Sequence, residues 1–103
     1  MSNKYGAKRT WSALCNRWFD SKAECHRGEE LALLKRGGVI DGLIYQVIFN
    51  LSKKPKITIA IDFYYCENGV EIFEDVKGML TRDFRTKLAW LKEKYEVDVR
   101  LTK

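Results

Sequence analysis

Apolar and polar positions alternate along two stretches, Lys56–Cys66 and Val70–Lys77, with Asn68-Gly69 between them. Such alternation reads as half-buried strands, and Asn-Gly between two of them is the strongest short-range hairpin signal. A two-residue turn pairs Glu67 with Val70. The same register sets Asp62 opposite Asp75 and Ala60 opposite Lys77. Upstream, the apolar run Leu43–Leu51 predicts another strand, closed by a turn at Lys53-Lys54-Pro55, where Pro55 is tolerated at a strand start. A helix is expected from about Ser21 to Arg36. Ser21 and Glu24 have capping-box spacing, Leu31, Leu33 and Leu34 supply the apolar part, and Gly37-Gly38 stops it. Thr81 can cap a second helix, Arg82 to about Tyr95, whose Phe84, Leu88, Leu91 and Tyr95 recur at helical spacing. A last strand is expected at Val97–Leu101. The order is helix, three antiparallel strands, helix, strand. The fold class is α/β, a mixed four-stranded sheet flanked by helices, with a right-handed crossover if the last two strands are parallel.

The hairpin register has a chemical consequence. Side chains alternate along a strand, so Asp62, Asp75 and Lys77 emerge together on one face. Ile61 faces Val76, and Tyr65 faces Ile72, on the other. Like charges directly opposed on a sheet are destabilising, so two facing carboxylates ask for a divalent cation between them. A three-residue loop would instead place Asp62 opposite Glu74 and move Lys77 to the other face. The two-residue register unites all three polar groups. An ordinary surface hairpin with incidental charges is the plain alternative, but its flanks are too apolar for that. Glu74 points away from the cluster, and a salt bridge to a helix is its expected use.

Composition narrows the setting. The chain has 103 residues, enough for one modest core. It has no run of about 18 apolar residues, so no membrane span is expected. The start of the chain lacks an apolar signal region, which suggests an intracellular protein. Cys15, Cys25 and Cys66 form an odd set without metal spacing and read as reduced thiols. A net charge of +5 points to an anionic partner, nucleic acid first. Residues 1–18 show poor periodicity and interleave Lys4, Lys8, Arg9 and Arg17 with Tyr5, Trp11 and Trp18. They read as an irregular arm before a single domain at 19–103. Such an arm suits phosphate contacts and base stacking, or is a tail whose tryptophans tuck onto the core. His26, beside Arg27, reads as a solvated helix residue.

This ordered set of residues resembles the PD-(D/E)XK nuclease superfamily, and most of all its small phage-encoded, resolvase-like members. The shared pattern runs from Tyr5-Gly6 and Lys8-Arg9, through Phe19-Asp20-Ser21-Lys22-Ala23-Glu24, Glu30-Leu31 and Gln46 with Phe49. It ends on Asp62-Phe63 and Glu74-Asp75-Val76-Lys77-Gly78. One departure is Ile61 where the label has proline. The resemblance implies a restriction-endonuclease-like αβββαβ core and a Mg²⁺- or Mn²⁺-dependent endonuclease. Asp62, Asp75, Lys77 and Glu24 would be catalytic. Asp62, Asp75, Glu24 and the backbone carbonyl of Val76 would be metal ligands. It further implies DNA rather than RNA as substrate, a four-way junction or other branched form first, a homodimer, and a place in phage replication or recombination in the host cytoplasm.

A divalent ion can activate water, neutralise phosphate charge and assist the leaving oxygen. Mg²⁺ takes few carboxylates and keeps several waters, leaving positions for a phosphate. Lys77 would orient or deprotonate the attacking water, or stabilise phosphate charge. Glu24 has two readings: a site acid touching the metal or its water, or half of a capping box. Gln46, polar inside an apolar run, would touch substrate or a metal water, or satisfy buried backbone. Lys4, Lys8, Arg9, Lys22, Gln46 and Arg82 are the expected nucleic-acid contacts. Two other classes compete: a nucleic-acid-binding module that keeps the fold and cuts nothing, and an interaction subunit of a phage assembly.

Overall fold

The computed structural model describes residues 8–103. The chain runs β1 (Thr10–Ser12), β2 (Arg17–Phe19), α1 (Lys22–Arg36), β3 (Asp41–Lys53), β4 (Lys56–Glu67), β5 (Val70–Val76), α2 (Arg82–Tyr95) and β6 (Val99–Thr102). β3 to β6 form one mixed sheet in that order, antiparallel up to β5 and parallel between β5 and β6, where α2 makes the crossover. From α1 onward this is the expected αβββαβ α/β core. Among the described residues no helix is long and apolar enough to cross a membrane.

The hairpin register is the two-residue one. Glu67 pairs with Val70, Tyr65 with Ile72 and Phe63 with Glu74, where the β4–β5 ladder ends. Beyond that point the simple alternation fails. Ile61, Asp62 and Phe63 are all buried. Phe63 and Tyr65 share a cluster with Cys25 and Leu31 of α1, whereas Ile59 and Ile61 share one with Leu91 of α2. The expected juxtaposition of Ile61 with Val76 is therefore corrected: Val76 packs with the α1 cluster and Ile61 with the α2 cluster. The cause lies in β3. Gln46, between the pairs Tyr45–Phe63 and Val47–Ile61, has φ of 57°, a left-handed conformation uncommon outside glycine. Residues on either side of Asp62 serve different helices.

Both helices begin as their sequences predict. Ser21 Oγ accepts from the Glu24 amide at 3.0 Å and Thr81 Oγ1 from the Phe84 amide at 3.2 Å. Glu74 points toward α1 and is fully buried. Arg27 donates to it through Nε at 2.6 Å and Nη2 at 3.1 Å, and Tyr65 and Thr102 add hydroxyl donors. Burial by itself would raise the Glu74 pKa, but these donors outweigh it and hold the carboxyl below its usual range.

One segment differs from expectation. Residues 10–18, read as part of an irregular arm, form the β1–β2 hairpin together with Phe19, with Trp11 opposite Trp18. Its inner side buries Ser12 and Phe19 against α1. Phe19 lies so close to Gly28 that a Cβ there would stand 2.6 Å from the ring. Three-residue strands are too short for a period to register, so only docking onto α1 defines them. Residues 1–7, including Lys4 and Tyr5, lie outside the described residues.

Candidate active site

The sheet's irregularity builds the site. Where the β4–β5 ladder stops, two carboxylates replace its backbone bonds. Asp75 Oδ1 accepts from the Asp62 amide at 2.9 Å, and Asp62 Oδ2 accepts from the Val76 amide at 2.9 Å. The strands are stitched together by the acids that face each other. Asp75 is fully buried and Asp62 and Glu24 nearly so. Asp75 Oδ2 is buried without a hydrogen-bond partner. Lys77 Nζ stands 3.3 Å from it, an ion-pair contact without hydrogen-bond alignment, and 4.3 Å over the Phe84 ring.

Glu24 enters from the first turn of α1. Its amide completes the cap, while its carboxylate accepts from Gln46 Nε2 at 3.4 Å. The left-handed residue of β3 thus contacts the helix acid: the Glu24 backbone amide is capped by Ser21, while its side chain turns to Gln46 and the two aspartates. The electrostatics follow from crowding. Burial, then the charges of Asp75 and Glu24, push Asp62 up to about 8. Burial, then Asp20 and Asp75, push Glu24 up to about 7. Asp75 is also raised, chiefly by burial, against the pull of Lys77 and the Asp62 amide.

Asp62, Glu24 and Lys77 open onto a cleft of about 1070 Å³, with Asp75 fully buried behind its wall. Asp62, Val76 and Lys77 line it beside the capped N-termini of both helices, Ser21–Glu24 and Thr81 with Phe84. Helix N-termini favour anions. Lys8 and Lys22 also line the cleft. Arg9 lies over the Trp18 ring at 5.2 Å. Arg82, the first residue of α2, is exposed and not part of the cleft wall. Lys87, one turn further on, takes that place and pairs with Asp83 at 3.6 Å. Its signal was available: helical spacing puts Lys87 on the side of Phe84 that faces the sheet. Asp20, whose charge bears on Glu24, stands in the shared pattern but is given no role there.

Whether these residues fit a cation is decided by their free oxygens. Among the described residues no group of three or more His, Cys, Asp or Glu side chains converges as an ion-holding cluster. Asp62 and Asp75 nevertheless present one carboxylate pair with an orphaned buried oxygen. A hard cation held by one or two carboxylates and water needs little more. The donor set is all oxygen, which suits Mg²⁺ or Mn²⁺ and not a soft metal.

Residues 2–103 match one family over nearly the whole chain. The chain belongs to DUF1064, a family described as protein of unknown function. No curated protein and no solved structure matches it. For this DUF1064 chain the site must therefore be read from its own geometry. Cys15, Cys25 and Cys66 are free thiols, and none belongs to the acid cluster. His26 is exposed, as its neighbours suggested.

Proposed function

We propose that this protein is a metal-dependent endonuclease of the PD-(D/E)XK type, acting on DNA and above all on branched DNA. The observation that carries the reading is the facing pair Asp62 and Asp75, with Asp75 Oδ2 orphaned and Lys77 Nζ 3.3 Å away at the wall of the cleft. Asp62, Asp75 and the Val76 carbonyl would hold Mg²⁺ or Mn²⁺, with Glu24 at their side. The ion supplies positive charge for the phosphate and a more acidic water. Lys77 favours the ionised form of Asp75 against the effect of burial, and would donate to a phosphate oxygen or the attacking water. Glu24, titrating near neutrality and steadied by Gln46, is suited to take a proton from that water. Lys8, Lys22 and Lys87 line the path of the phosphates. Activity on a junction would employ a twofold dimer, for which exposed Ile44 and Ile48 on edge strand β3 offer a surface. A role in phage recombination within the host cytoplasm would follow.

The test is direct. Purified protein is incubated with labelled junction, flap, duplex and single strand in Mg²⁺, Mn²⁺ or EDTA, with Asp75→Asn as control. Cleavage in metal that is lost in EDTA and in the variant is expected. Intact substrates under every condition would refute the reading.

A second reading is a nucleic-acid-binding protein that keeps the nuclease fold without cutting. It is favoured by the backbone bonds already made by Asp62 Oδ2 and Asp75 Oδ1, which leave fewer oxygens for an ion. Salt-dependent DNA binding with no Mg²⁺ binding by calorimetry would establish it.

A further inference from the structure

The β1–β2 hairpin buries Ser12 and Phe19 on its inner side and leaves its outer side to water. On that outer side stand Trp11 and Trp18, directly paired across the strands, their rings 5.5 Å apart at 63°. They are 46% and 49% exposed. The T-shaped cross-strand pair helps hold so short a hairpin together, yet about half of each ring is left open to water, a surface that the pairing itself does not use. Their surroundings are cationic. Arg9 lies 5.2 Å over Trp18. Lys22 and Ala23 line both the acid cleft and the recess that holds Trp11, so the two are neighbours on the surface. Glu29, also in that recess, already accepts from Ser12 Oγ at 2.7 Å.

We infer that the Trp11–Trp18 face is a stacking platform for unpaired nucleotides on the strand that leaves the acid cleft past Lys22. Aromatic faces beside cations recognise bases by their π-surfaces and phosphates by charge. Bases inside a duplex have no free face to offer. The platform therefore selects nucleic acid with a single-stranded segment next to the scissile site, and disfavours uniform duplex. This inference names a substrate class for the proposed nuclease and rests on that reading for the cleft's role, though the platform itself binds without metal.

The experiment is run on the whole chain in EDTA. Intrinsic fluorescence is followed as oligothymidylate or a duplex of equal length is added, and affinities are read by anisotropy of labelled strands. Oligothymidylate should quench the emission; the third tryptophan, Trp90, packs against the α2 core and should contribute little. Trp11→Ala and Trp18→Ala should each weaken single-strand binding about five- to a hundredfold, the range of one lost stack. Duplex affinity should change less than twofold, and Trp11→Phe should retain most of the single-strand affinity. A double alanine variant that binds oligothymidylate like wild type would overturn the inference. So would equal losses on both ligands, or emission that shifts with protein concentration alone without oligonucleotide binding, which would give the face to a second copy. Because no cleavage is involved, a confirmed single-strand preference in a protein that cuts nothing would sustain the platform and sink only the nuclease reading.

Discussion

Asp62→Asn should stabilise the metal-free protein at alkaline pH and not at acid pH. The substitution keeps the shape and an oxygen for the Val76 amide, now bonded at 2.9 Å, while removing a charge facing Asp75 and Glu24. Burial and those two charges lift Asp62 from 3.8 to about 8. In that window the folded chain holds a proton that the unfolded chain has released, so the destabilisation from Asp62 is absent below pH 4 and grows as pH rises toward 8, whereas Glu74, with its lowered pKa, loses its contribution only in acid. At about 1.4 kcal/mol per tenfold change in acidity, the loss is at most about 5 kcal/mol by pH 8. Part of that cost is shared with Asp75 and Glu24. The expected gain of the variant over wild type is about 2–4 kcal/mol at pH 8, vanishing near pH 4. Urea unfolding in EDTA, followed by circular dichroism across this range, measures both. Millimolar Mg²⁺ should then raise wild-type stability and leave the variant nearly unmoved. A wild-type stability that is flat or rises between pH 5 and 8 would refute the picture of acids crowded in a dry pocket.

Lys77→Ala should lower cleavage about a hundredfold or more while DNA affinity in EDTA stays within a few-fold, because one lysine is a small part of the phosphate contact; parallel collapse of binding would make Lys77 a grip residue. Glu24→Gln keeps the backbone cap, so unfolding should move by less than about 1 kcal/mol while turnover drops and its pH profile loses a limb near 7; normal turnover would confine Glu24 to the cap. Arg27→Ala strands the buried Glu74 carboxylate and should cost about 3 kcal/mol in chemical denaturation, with Arg27→Lys intermediate; a loss below 1 kcal/mol would show that Tyr65 and Thr102 suffice.

Much of the site was legible in the chain. Asn68-Gly69 dictated a two-residue turn, and the register it sets brings Asp62 to Asp75 and turns Glu74 toward a helix, although the backbone ladder itself stops at Phe63. Ser21, Thr81 and the spacing of α2 marked helix starts within a residue. These are short-range effects, in which neighbouring residues choose φ, ψ and hydrogen bonds among themselves. The rest belongs to tertiary contact. Nothing local announces a left-handed Gln46, because no side chain favours that conformation there; it is held by the sheet and by its bond to Glu24. The reversal of faces around Asp62 and the docking of the Trp11–Trp18 hairpin on α1 both depend on segments far apart in sequence. Only the packed chain brings those segments within reach, and only then does burial turn three ordinary carboxyls into a crowded cluster whose pKa values are raised.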